Sequence, residues 1–80
     1  MKEPIIESAL YLEGYQIEVS FTDGIVGVVD LSYLLWGPVF EPLKDINKFK
    51  SFVLNQELNT ISWPNGADVA PESLYQLIAV

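Results

Sequence analysis

From Tyr15 to Thr22 the chain alternates strictly, with Tyr15, Ile17, Val19 and Phe21 apolar and Gln16, Glu18, Ser20 and Thr22 polar. A period of two sends the two sets to opposite sides of a pleated strand, the pattern of an antiparallel strand buried on one face. Ile5 to Leu12 reads as a strand before it, ending at Glu13-Gly14. After it, Asp23-Gly24 marks a hairpin turn, because both residues tolerate the positive φ that such turns need. Ile25 to Asp30 runs back as a third strand, dense in valine as central strands are. Three strands joined by tight turns make a meander.

Beyond it the period changes. Asp30 is placed to cap a short helical turn, Leu31 to Trp36, which Gly37-Pro38 is expected to stop. A second helix is expected to start at Asp45, with Ile46, Phe49 and Val53 as its apolar stripe and Phe52 beside them. Lys48, Lys50 and Ser51 stay outside, and Asn55 ends it. Leu58 to Trp63 reads as a fourth strand, closed by the turn Pro64-Asn65-Gly66. Pro71 and Glu72 suit the first turn of a last helix in which Leu74, Leu77 and Ile78 share a face. The expected fold is a single α+β domain over residues 1–80. It is an antiparallel three-stranded meander plus a fourth strand, with two or three short helices packed on the sheet.

Composition narrows the function. The chain has 80 residues, 50% hydrophobic and 19% charged, a globular balance. A chain this size buries about 63% of its unfolded surface, enough for one thin core. A mean hydropathy of +0.27 leaves apolar side chains in want of cover, so self-association or a standing protein partner is expected, a dimer being the favoured oligomer. Eleven acids against four lysines give −7. That charge repels phosphate backbones, so no direct nucleic-acid binding is expected. It suits a basic partner instead. No base lies between Glu3 and Leu43, while Lys44, Lys48 and Lys50 sit together around the second helix, which makes one end of the molecule less acidic. No apolar run approaches the ~20 residues a membrane span needs, and Met1-Lys2-Glu3-Pro4 does not open a secretory signal. A cytoplasmic location and no membrane contact are the expectation.

The chain has no cysteine and no histidine, which removes disulfides, thiol and imidazole catalysis, and the usual zinc or haem sites. A serine nucleophile would have only Lys44, Lys48 or Lys50 as base, and these belong to a solvated helix face. Asp45-Ile46-Asn47 lacks the later ligands of a calcium loop, and Gly24 and Gly27 do not make a dinucleotide fingerprint. No enzyme, cofactor or metal is expected. Two places nonetheless invite a ligand. Trp36 to Phe40 make a rigid bend carrying two large aromatics. Trp36, Pro38 and Phe40 with Trp63 form the candidate partner-binding set, tryptophan being common at binding hot spots. The contact is expected to use this stretch together with the turn from Trp63 to Asp68. The alternative is core packing, which is the favoured reading of Trp63 and evenly balanced with binding for Trp36. Asn65, Asp68 and Glu72, beside Trp63, form a second candidate that would take a small ligand or a cation. Its structural counterpart has Asp68 tying turn amides and Glu72 complementing a helix dipole.

Three stretches together resemble a known family. They are Phe21-Thr22-Asp23-Gly24; Val29-Asp30-Leu31 leading to Gly37-Pro38-Val39-Phe40-Glu41-Pro42-Leu43-Lys44-Asp45; and Thr60 to Tyr75, with its Trp63-Pro64-Asn65-Gly66-Ala67-Asp68 block followed by Pro71-Glu72-Ser73-Leu74-Tyr75. They resemble the bacterial Domain of Unknown Function 2442 family, from about Ile5 to Leu77. The resemblance implies a small α+β domain with no established activity and no catalytic residues to transfer. Family members occur alone or ahead of a helix-turn-helix domain, and stand-alone members are often encoded beside another small protein, as toxin–antitoxin pairs are. The chain is expected to be a stand-alone member without the DNA-binding extension. It is expected to be a non-enzymatic interaction module that self-associates or holds a second small protein encoded nearby, as the antitoxin-like member of a pair.

Overall fold

The computed structural model describes residues 4–79. Strands β1 (Ile6–Tyr11), β2 (Gln16–Phe21) and β3 (Val26–Asp30) form one antiparallel sheet in the order β1-β2-β3. The alternation in β2 explains its place: Ile17, Val19 and Phe21 are fully buried, while Gln16, Glu18 and Ser20 stay half-buried on the other face. At Asp23-Gly24, the Asp23 Oδ1 accepts the Ile25 N–H at 3.0 Å and closes the hairpin. The meander and the α+β class agree with the sequence reading. β3, however, is an edge strand and β2 the central one. Valine density misleads here because Val26 and Val28 point to the solvent face, 54% and 52% exposed, and only Val29 enters the core.

Asp30 accepts the Ser32 N–H at 2.9 Å just ahead of a 3-10 turn, Ser32–Leu34, whose cap residue is Leu31 rather than Asp30 and which is shorter than the expected Leu31 to Trp36. Gly37-Pro38 does not stop a helix there but opens one, α1 (Gly37–Phe40). Proline suits a first helical turn because its φ is already helical and no N–H is needed there. A second 3-10 turn, Glu41–Lys44, leads to Asp45, whose carboxylate takes the Asn47 N–H at 2.9 Å to cap α2 (Ile46–Phe49). This helix is a single turn and does not run to Asn55. Ser51 Oγ donates to the Lys48 carbonyl and closes it. Residues beyond it form β4 (Val53–Asn55), paired with β5 (Thr60–Ser62) as a separate two-stranded sheet. Two signals outweigh the helical stripe: β-branched Val53, and Asn55, whose Oδ1 accepts from the N–H groups of Glu57 and Leu58 to start a hairpin loop. Val53 is accordingly exposed. The expected fourth strand is β5, shorter than Leu58 to Trp63 because Leu58 belongs to that loop.

Helix α3 (Pro71–Ala79) packs against β3. Leu74 is buried and Ile78 half-buried, but Leu77 stands 52% exposed, outside the expected shared face. On a helix turning ~100° per residue, Ile78 and Tyr75 lie about 40° and 100° to one side of Leu74 and Leu77 about 60° to the other. The sheet meets the former side, where Gly27 makes room: a Cβ on Gly27 would stand 2.5 Å from Ile78 Cγ2. Phe21, Phe49, Ile17, Leu31, Ile61, Leu74 and Val19 form the driest part of the core. Buried Thr60 donates its hydroxyl to the Val69 carbonyl at 2.6 Å. Among the described residues no buried side-chain polar atom lacks a partner.

Candidate interaction surface

The candidate surface is built outward from Trp63. Its ring is buried (3% exposed) among Phe49, Phe40 and Phe52, with centroids at 5.8, 6.2 and 6.4 Å, and its Nε1 donates to the Phe49 carbonyl at 2.8 Å. Trp63 is therefore a core residue. The turn after it is closed by the Trp63 N–H to the Ala67 carbonyl at 2.8 Å and the Gly66 N–H to the Trp63 carbonyl at 2.9 Å. Asn65, at the tip, faces two ways. Its Oδ1 accepts the Ala67 N–H at 3.1 Å, and its Nδ2 donates to the Val39 carbonyl at 2.8 Å.

That last bond, with the edge contact of Phe40 on Trp63, pins α1 to the core. The rest of the bend faces water. Trp36 is 73% exposed, more than any other large hydrophobic side chain among the described residues, and Pro38 and Val39 are exposed beside it. Gly37, at φ +86°, makes the sharp change of direction between Trp36 and the helix. Leu34, Trp36, Gly37, Pro38, Val39 and Phe40 line an open depression of about 350 Å³, with no charged side chain among them. Of the expected partner-binding set, Trp36, Pro38 and Phe40 come together on this depression, and Trp63 supports it from beneath. Val39 falls within the expected Trp36-to-Phe40 stretch; Leu34 lies outside it, and only its closeness in sequence to Trp36 points to it.

Asn65, Asp68 and Glu72 do not share this arrangement. Asn65 has both ends of its amide engaged within the protein. Asp68 is exposed, pairing through its backbone with Ser62, and Glu72 is exposed in the first turn of α3. The side chain that ties the turn amides is Asn65, not Asp68. Among the described residues no group of three acidic, histidine or cysteine side chains is placed to hold a metal ion.

Perturbed titrations lie elsewhere and are structural. The Tyr75 hydroxyl donates to Asp23 Oδ2, tying α3 to the β2–β3 turn. This bond, followed by the Ile25 N–H, holds the Asp23 carboxyl below its ordinary 3.8, and the same carboxylate pushes the Tyr75 phenol above its ordinary 10.0. Asp30 is lowered by the Ser32 N–H and then the Ser32 hydroxyl. Lys44, Lys48 and Lys50 gather around α2, with Lys50 Nζ 5.6 Å from the centre of the Tyr11 ring.

No helix among the described residues is long and apolar enough to cross a membrane. No curated protein matches the chain, and no solved structure matches it. A family model does: the one described as protein of unknown function (DUF2442) matches residues 6–79, nearly the whole chain. The chain belongs to the DUF2442 family.

Proposed function

We propose that the protein is a non-enzymatic, cytoplasmic interaction domain that binds another protein chain through the apolar depression around Trp36. The observation that carries this reading is the 73% exposure of Trp36 on a backbone that Asn65 and Phe40 hold in place. An indole left in water on a fixed support is a large apolar area with little ordering entropy left to lose on binding, which is how hot-spot residues act. The absence of histidine and cysteine from the sequence supports the non-enzymatic part. The bound chain is a second small protein, an antitoxin-like pairing, or a second copy of this chain.

Native mass spectrometry separates these two occupants when the protein is expressed with its neighbouring genes. The expected result is one discrete assembly, lost in Trp36→Ala while far-UV circular dichroism and cooperative melting are retained. An assembly that survives Trp36→Ala unchanged overturns the assignment of the surface.

A further inference from the structure

A second surface lies on the opposite kind of feature, a strand edge. The Phe21 N–H donates to the Ile25 carbonyl at 2.8 Å and the Leu31 N–H to the Tyr15 carbonyl at 2.9 Å. Between them β2 and β3 pair in continuous antiparallel register, from Gln16↔Asp30 to Ser20↔Val26. Hydrogen-bonded pairs recur every second residue in such a ladder, so Gly27 and Val29 address β2. Val26, Val28 and Asp30 then turn their own N–H and C=O groups to the other side, where no strand pairs with β3 among the described residues. The other edge of the sheet is different. β1 is bulged between Ile6 and Ser8, and the Ile6 N–H is taken by the Asn59 carbonyl at 3.2 Å.

Proteins usually blunt a free edge with lysine, proline or a bulge. β3, Val-Gly-Val-Val-Asp, has none of these. Charge selects what it takes. Between Pro4 and Leu43 there are six acids (Glu7, Glu13, Glu18, Asp23, Asp30, Glu41) and no base. The register sets Glu18 beside Val28 on the outer face, with Asp30 at the strand end. A second copy of this chain would bring the same acidic half to the edge and be repelled; a basic segment is drawn to it.

We propose that the β3 edge accepts an extended, basic segment of a partner protein as an added antiparallel strand. The partner's N–H and C=O groups pair with those of Val26, Val28 and Asp30. Lysine or arginine at alternate positions reaches Asp30 and Glu18, and its intervening apolar residues lie on the face of Gly27 and Val29. The site does not involve Trp36, so it stands or falls apart from the surface proposed above.

The test uses two end-blocked short peptides, one alternating lysine with valine and one alternating glutamate with valine, added to the isotope-labelled full chain. With the lysine peptide at about ten times its Kd, amide exchange at Val26, Val28 and Asp30 slows about tenfold. The effect weakens as salt is raised above about 0.1 M, and it persists in Trp36→Ala. The glutamate peptide leaves these amides unchanged. Val28→Pro removes the central outward N–H without removing a bond to β2, and Val26→Lys places a like charge on the edge; each abolishes the protection. Should Val28→Pro lose its cooperative melt, Val26→Lys alone decides. Protection without regard to peptide charge, shifts centred on another surface, or dimers that occupy the edge in the absence of peptide each overturn the proposal.

Discussion

The chain holds two tryptophans in opposite conditions. Trp63 is 3% exposed, ringed by three phenylalanines, and its indole N–H is paired with a backbone carbonyl. Trp36 is 73% exposed and stands on the rim of an open depression. What separates them is backbone context rather than residue type. Trp63 follows β5 and enters a turn closed upon itself by its own amide and that of Gly66. Trp36 precedes a glycine at positive φ, which turns α1 toward the core and leaves the indole behind. The first tryptophan is part of the core, and the second is left in contact with solvent.

The sharpest way to break that contrast is to truncate each ring. Trp63→Ala is expected to cost about 3–5 kcal/mol through the cavity it leaves, with the Phe49 carbonyl orphaned as well. Trp36→Ala should lie within about 0.5 kcal/mol of wild type, as surface changes do. Urea melts of both variants measure the difference. Comparable losses in the two would mean that Trp36 is packed, and the interaction surface would then have no anchor.

The meander was legible because its cues are local: the β2 alternation and the Asp23-Gly24 turn depend on neighbours in sequence. Cues that depend on tertiary context were read wrongly. The valines of β3 signalled a central strand, yet whether Val26 and Val28 are covered depends on what packs on the outer face, which no local pattern encodes. Ile46, Phe49 and Val53 fit a helix by spacing, but pairing with β5 draws Val53 into a strand. Trp36, Pro38 and Phe40 were singled out as a bend and do lie together. For Trp63 the size of the ring already favours core packing over partner binding, and the structure places it in the core. Asn65 reads as a ligand group because it is polar and sits in a turn; its structural role depends on Val39, distant in sequence, whose carbonyl the fold brings within reach of its amide.

Asn65 joins the two regions, so its removal sharpens the comparison. Asn65→Ala takes away the donor to the Val39 carbonyl and the acceptor for the Ala67 N–H. The expected loss is about 1–2 kcal/mol, since the partners are exposed or part-buried and water replaces some of the bonding. The effect on the surface should be larger than the effect on stability: hydrogen exchange in residues 36–40 accelerates while the Trp63 amide, bonded to Ala67 within its own turn, stays protected. Exchange that quickens equally at both places would show the turn and the bend to be one cooperative unit.

The smallest expected effect concerns another aromatic donor, this time in water. Tyr75 donates to Asp23 as Trp63 donates to the Phe49 carbonyl, but the Asp23–Tyr75 bond lies at the surface and solvent screens it. It adds pH dependence that Trp63 does not. Asp23 titrates lower in the folded chain than in the unfolded, so its contribution is present above about 3.8 and is lost as pH falls through the folded value. Tyr75 titrates higher when folded, so its contribution is present below about 10.0 and is lost as pH rises through the folded value. Tyr75→Phe should therefore flatten both flanks of a plot of Tm against pH. The alkaline flank should flatten more completely, because on the acid side Asp30, lowered by its bonds to Ser32, and Asp23, still bonded to the Ile25 N–H, continue to titrate in both proteins. Identical flanks in wild type and Tyr75→Phe would mean that the surface bond contributes nothing to folding, and that α3 is held by its apolar contacts: Leu74, Ile78 in the notch at Gly27, and the ring at position 75 edge-on to Phe21.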